Sequence, residues 1–214
     1  MSWWTKLTGA PIPPPPVAHA APPTHPAIAR VYGPQTPFLL GAMVAFADGG
    51  PDPLDAVAIY WHEQGPHFHY FSRGMSGVMG SELTFRLAAA SSDRGTEPAR
   101  FLGSIAYRAP TWPVKMLNMF ARRVHRTRRP FLHGEWWEGP PGALSPHTTL
   151  RHAIFTRDPE LAIEPATPGT HGFLQVTLLP EAVVDAMKAD ETAGRGDATI
   201  ERMLRERAPL VTAP

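Results

Sequence analysis

Apolar residues along this chain recur with two different spacings, and the two alternate in blocks. The run Phe38 to Phe46 (FLLGAMVAF) is continuously apolar at strand length, bounded by Pro37 and by the turn Asp48-Gly49-Gly50-Pro51. Asp55 to Tyr60 (DAVAIY) places Val57 and Ile59 at alternate positions, as a strand does. His67 to Phe71 (HFHYF) and Glu82 to Leu87 (ELTFRL) alternate in the same way, and Gly74, Gly77 and Gly80 between them suit turns or a mobile loop. Phe173 to Leu179 (FLQVTLL) reads as a further strand.

Helical spacing appears in Trp112 to Arg128, where Trp112, Met116, Leu117, Phe120 and Val124 share one face. Thr111 is the expected cap, and Pro113 sits in the first turn, where a missing N–H is tolerated. Arg122, Arg123, Arg126, Arg128 and Arg129 gather towards the end, where positive charge suits the helix dipole, and Pro130 stops the helix. Pro180 and Glu181 open a short helix containing Val184 and Met187. Thr199 to Arg207 forms a last one on Ile200, Met203 and Leu204. Strands and helices without strict alternation predict an α+β (mixed α/β) domain, a central β-sheet flanked by helices.

Composition narrows the chemistry. The chain has 214 residues, 43% hydrophobic and 18% charged, which suits one globular domain plus a tail. Proline reaches 26 residues and clusters early, so residues 1–26 are expected to form an extended, disordered tail ahead of a folded domain over 27–214. Twenty basic against 19 acidic residues leave a net charge of +1, which argues against nucleic acid or a membrane surface as the general partner. With no cysteine, disulfides, thiolate nucleophiles and Cys-ligated metals are excluded. No apolar run approaches the roughly 20 residues of a membrane helix, and the start lacks the apolar core of a signal peptide. A cytoplasmic location is the expectation.

His67 and His69 lie two apart on a strand and project to one face, so they could share a metal with Glu63, His133 or His171, the basis of an alternative reading as a metal-dependent hydrolase. None of these spacings is diagnostic, and the competing reading is that both imidazoles hydrogen-bond within the fold. Ser72, Ser76 and Ser81 lack a nucleophile elbow, and the nearby glycines form no phosphate loop. Trp136 and Trp137 read as core residues or as an exposed binding pair.

A set of motifs in order says more. Gly49-Gly50-Pro51-Asp52-Pro53-Leu54-Asp55 is followed by Pro66-His67-Phe68-His69-Tyr70 with Gly74, and then by Glu82-Leu83-Thr84-Phe85-Arg86-Leu87. Farther on stand Pro110-Thr111-Trp112-Pro113, Thr156-Arg157-Asp158-Pro159 and Phe173-Leu174-Gln175. In this order the chain closely resembles the suppressor of fused family, from about Ile28 to Ala208. The resemblance implies a mixed α/β domain that binds other proteins and is not an enzyme, with no cofactor. In animals the family restrains a transcription factor, clamping an extended peptide of it in a cleft. Single-domain bacterial relatives look like immunity proteins that neutralise toxins, so the expected partner here is a toxin domain, with a regulated intracellular factor as the alternative. Oligomeric state is left open.

Residues carry over unevenly. Asp52, Pro53, Leu54, Asp55, His67, His69, Glu82, Phe85, Trp112, Pro113, Asp158, Pro159 and Gln175 match motif positions and are expected to hold the fold. Phe68 stands where the family has tryptophan, and Ser76 to Ser81 is a short neutral bridge where the family has a longer acidic loop. Tyr70 is expected to line a partner groove, and Trp136, Trp137, Arg122, Arg123 and Arg126 are the other candidate contacts.

Overall fold

The computed structural model describes residues 25–44, 46–63, 65–89, 109–139, 148–161, 172–192, 196–207 and 211–212. The early proline run and His171 lie outside them. Over the described residues a seven-stranded sheet runs in the order β1-β2-β3-β4-β7-β6-β5. Its strands are β1 (Phe38–Gly41), β2 (Ala56–His62), β3 (His67–Arg73), β4 (Ser81–Ala88), β5 (Trp136–Trp137), β6 (His152–Arg157) and β7 (Gly172–Leu179). The helices are α1 (Pro26–Tyr32), α2 (Ser76–Met79), α3 (Trp112–Thr127), α4 (Glu181–Thr192) and α5 (Gly196–Arg207). This is the mixed α+β architecture that the alternating blocks predict.

Pairing is antiparallel from β1 to β4 and from β7 to β5, while β4 and β7 run parallel, Ser81 against Gly172 to Phe85 against Val176. Period-two alternation then sorts the side chains. Val57, Ile59, Trp61, Phe68, Tyr70, Leu83, Phe85, Leu87, Leu174 and Val176 join Trp112, Met116, Leu117, Phe120 and Val124 of α3 in the main core. On the opposite face, Ala58, Tyr60, Phe71 and Phe173 pack with Ala27, Ile28 and Tyr32 of α1. Ile154 and Leu179 pack with Val184 and Met187 of α4 and with Ile200 and Met203 of α5. Both faces of the central strands are therefore covered, which explains their near-continuous burial.

Several expectations change. The apolar run from Phe38 to Phe46 is strand only to Gly41, because its partner β2 begins at Ala56 and offers nothing further to pair with. Ala42 still donates to the Asp55 carbonyl at 2.9 Å, and the chain then turns outward, exposing Met43, Val44 and Phe46. Pro26, placed by composition in the tail, is the first residue of α1, a position where a missing N–H costs nothing. Thr111 precedes α3 without a side-chain cap bond. The glycine-rich bridge contains α2, and the carboxylate of Glu82 orders its start by accepting from the N–H groups of Gly74, Met75 and Ser76 at 3.0–3.2 Å. Gly74 itself has φ +105°, and a Cβ there would lie 2.8 Å from Asp55 Oδ2, so glycine is required. Strands β5 and β6 and helix α1 were not predicted.

Candidate functional site

Alternation along β2, β3, β4 and β7 sends a second set of residues, mostly polar, to the face opposite α3. His62, His67, His69, Thr84, Arg86 and Gln175 lie there between the two small apolar clusters, and Arg86 is completely buried. Its guanidinium grips Asp158 in a two-pronged pair, Nη1 to Oδ2 at 2.8 Å and Nη2 to Oδ1 at 2.9 Å, and also donates to Glu160 Oε2 at 2.8 Å and to Gln175 Oε1. Thr84 Oγ1 donates to Asp158 at 2.7 Å, and the N–H groups of Glu160 and Leu161 donate to it at 3.1 and 3.2 Å. Burial alone would push Asp158 up; contact with His69 and the Arg86 guanidinium outweigh it and hold the carboxyl well below its usual range. Burial likewise works against the Arg86 cation, yet Asp158 and Glu160 keep it charged.

The histidines are bound into this network. Tyr32 of α1 places its hydroxyl 2.6 Å from His69 Nδ1, and His69 Nε2 stands 3.4 Å from Asp158 Oδ2. His67 donates from Nδ1 to the Gly65 carbonyl at 2.6 Å, and its ring stacks on His62, centroids 4.5 Å apart. Burial, reinforced by Arg86, lowers His69 to about 3 and His67 to about 4, so both rings are neutral at ordinary pH. Among the described residues no three His, Asp or Glu side chains are arranged to hold a metal. His133 lies apart, its Nδ1 accepting from the N–H of Arg157 at 3.1 Å. The network's geometry ties α1, β3, β4, β7 and the turn after β6 together.

A different feature faces solvent. The end of α3 and β5 border a groove of about 730 Å³, with Phe46, Phe120 and Trp137 as its apolar part and Arg122, Arg126 and Arg128 as its charged part. Arg122 pairs with Asp52 at 2.6 Å, Arg129 reaches Glu135 at 3.5 Å, and Arg123 lies over the Phe131 ring at 4.5 Å. Arg126 and Arg128 make no ion pair among the described residues. Arg128 closes α3 at φ +54°, a left-handed conformation in which glycine is the usual residue. Strain of roughly 1–2 kcal/mol is thus stored where a cation is presented to the groove.

The expected contacts are therefore divided. Arg122, Arg123, Arg126 and Trp137 come together around this groove. Trp136 turns to the other face, near Lys188 and the α4 cluster. Tyr70 does not line a groove: it is fully buried against α3, with its hydroxyl donating to the Pro110 carbonyl at 2.8 Å, because alternation along β3 assigns it to the core. Of the motif residues, Leu54, Phe85, Trp112 and Pro113 are buried in or beside the main core, Pro159 is exposed, and Asp55 braces Gly74. Sequence reasoning missed Arg86, Glu160 and Tyr32. The alternation of ELTFRL could have flagged Arg86, since it puts an arginine on the face opposite three core residues.

Three comparisons bear on this arrangement. The family described as Suppressor of fused protein matches residues 50–214. The human and mouse suppressor of fused homologues are each 29% identical over 173 residues, covering 69% of this chain and 33% of theirs, so the chain spans about a third of these relatives. Drosophila Suppressor of Fused superposes with a TM-score of 0.67 at 24% identity, over 87% of this chain and 48% of that one. A chain of the Sufu–Fu complex gives the same score and identity over 87% and 86%. A suppressor of fused homologue from Neisseria gonorrhoeae gives a TM-score of 0.53 at 10% identity, over 78% and 86%. At these identities the superpositions show the fold.

Proposed function

The chain belongs to the suppressor of fused family, and we propose that it is a non-enzymatic protein-binding domain, an immunity protein that occludes a toxin. The observation that carries this reading is the groove at the end of α3. Its aromatic floor and arginine rim supply the residue types that anchor protein interfaces. Phe46, which lines it, is itself an exposed apolar side chain, as are Met43 and Val44 shortly before it in the chain. Arg126 and Arg128, which make no ion pair among the described residues, suit an acidic face on the partner and would speed encounter. His67 and His69 are engaged inside the fold and are not part of this groove's lining. A chain of similar fold is described in a Sufu–Fu complex, so a protein partner on this fold has a precedent.

The test compares the native chain with an Arg126→Glu/Arg128→Glu variant. Each is used to capture proteins from the cells that make it, and the captured protein is then purified and remixed. Immunity predicts one toxin domain bound near one to one, its activity suppressed, and affinity at least tenfold weaker for the variant. A partner whose activity is unaffected would instead mark a regulatory binder. A partner held equally well by the variant would remove the groove from the account.

A further inference from the structure

The end of α3 carries more positive charge than its surroundings balance. Of the five arginines from Arg122 to Arg129, Arg122 pairs with Asp52 at 2.6 Å, and Arg123 and Arg129 share Glu135 at 3.9 and 3.5 Å. Among the described residues no other carboxylate pairs with this cluster, and Arg126 and Arg128 stand exposed along the groove. Two further groups lack a partner. Arg123 Nη1 and His125 Nε2 are shut off from water and make no hydrogen bond among the described residues, and both residues line the groove. Buried polar groups left unpaired are uncommon in folded chains, so a pair of them in one groove calls for a ligand. The rest of the lining is apolar and aromatic, with Phe46 and Trp137 in it. Phe46 is 41% exposed, and its ring meets that of His125 with centroids 5.0 Å apart.

A ligand that answers all of this has two parts. An apolar molecule would leave the cations and the unpaired nitrogens without a partner, and a bare inorganic anion would leave the rings in water. A carboxylate brings one charge, whereas a phosphate brings about two, with three acceptor oxygens that match guanidinium forks. At about 730 Å³ the groove is of a size that takes a small molecule, and a lone phenyl ring would fill little of it. We propose that the α3 groove is a binding site for a nucleotide, its base against Phe46 and Trp137 and its phosphates on Arg126 and Arg128. Arg123 and His125 complete the hydrogen bonds of the phosphate. Part of the cationic wall is in place before the ligand enters, since Asp52 holds Arg122 and the Arg123 guanidinium rests 4.5 Å over the Phe131 ring. The left-handed backbone of Arg128, φ +54°, fits the same account, because strain at a non-glycine residue persists where its position serves binding.

The test is calorimetric titration of the full chain with four separate probes: ADP, adenosine, inorganic phosphate and phenyl phosphate. ADP is expected to bind with a dissociation constant below about 1 mM, and each of the other three at least tenfold more weakly. Arg126→Gln/Arg128→Gln should weaken ADP at least tenfold. Phe46→Ala removes a ring and no charge, so it should weaken ADP at least threefold and leave inorganic phosphate unchanged. All three side chains are exposed, and circular dichroism checks that the variants fold; should one not fold, the four native-chain titrations decide. Inorganic phosphate binding as tightly as ADP would reduce the groove to a patch for any anion and overturn the proposal. Phenyl phosphate binding as tightly would overturn the nucleotide. Adenosine binding as tightly, or ADP held equally by the arginine variant, would remove the arginines from the site. No binding of ADP at about 1 mM overturns it outright. These readings use the chain alone and do not rest on the toxin. A chain that binds ADP and captures no toxin keeps this site, and one that captures a toxin but not ADP loses this site and keeps the other reading.

Discussion

Replacing Asp158 by asparagine removes one charge and almost no volume, so it isolates what the buried ion pair does. In the native chain the carboxylate takes two bonds from Arg86, one from Thr84 and two from the N–H groups of Glu160 and Leu161. Asparagine keeps one carbonyl oxygen and turns an NH₂ group towards donors, leaving the Arg86 cation with Glu160 as its remaining carboxylate. Breaking one side of a buried pair costs about 3–5 kcal/mol, because the surviving charge stays out of water. The Glu160 carboxylate, with its side chain 26% exposed, softens the loss towards the lower end. A domain of this kind has roughly 5–15 kcal/mol in all, so about 3 kcal/mol is a large part of it. With an m-value of about 2 kcal/mol/M, the urea midpoint should fall by about 1.5 M at pH 7, read by circular dichroism. Glu160→Gln should cost about 1 kcal/mol or less, since that pair is partly solvated. Combining Arg86→Met with Asp158→Asn should cost less than the sum of the single changes by about 1–3 kcal/mol. A loss below 1 kcal/mol for Asp158→Asn, or strict additivity in the cycle, would refute the assignment.

Acid should loosen the fold earlier than its carboxylates alone require. His67 and His69 have folded values of about 4 and about 3 against an ordinary 6.5, so the unfolded chain binds more protons between those limits. Stability is complete above pH 6.5 and falls as pH drops towards 4, each ring adding a slope that approaches about 1.4 kcal/mol per pH unit. Urea midpoints from pH 7 to 4.5 check this, and His69→Gln should flatten the dependence. Tyr32→Phe leaves His69 Nδ1 buried without its 2.6 Å partner and should cost about 1–3 kcal/mol in the same assay. Gly74→Ala forces a Cβ against Asp55 in a left-handed turn, and a loss of about 1–3 kcal/mol is expected in thermal unfolding. Arg128→Gly relieves strain at φ +54° and should leave stability unchanged or raise it by up to about 1 kcal/mol, while weakening capture of the partner.

Much of this fold is local and was legible in the residues. The three- and four-residue spacing from Trp112 to Val124 specifies α3 almost to the residue, and period two in DAVAIY, HFHYF, ELTFRL and FLQVTLL specifies β2, β3, β4 and β7. Those patterns survive because each element carries its own apolar face, whatever it packs against. The motif order from Gly49 to Gln175 carried the family as well. The arginines at the end of α3 were visible as a charge cluster, although not as one wall of a groove.

What the tertiary structure alone decided is which partner each face meets. The run from Phe38 to Phe46 looks like one strand, yet its length is set by where β2 begins, fifteen residues from Gly41 along the chain. Tyr70 and His69 are neighbours in the same motif, and alternation separates them. One is sealed against α3, and the other is held neutral between Tyr32 and Asp158, residues 37 positions before it and 89 after it. Thr212 becomes part of the central sheet only because β4 and β7 diverge. The periodicity of a sequence records the faces an element has, since that depends on backbone geometry over a few residues. Whether a buried ring is charged, or a strand ends, depends on groups brought close by contacts between distant parts of the chain, and no local pattern encodes these.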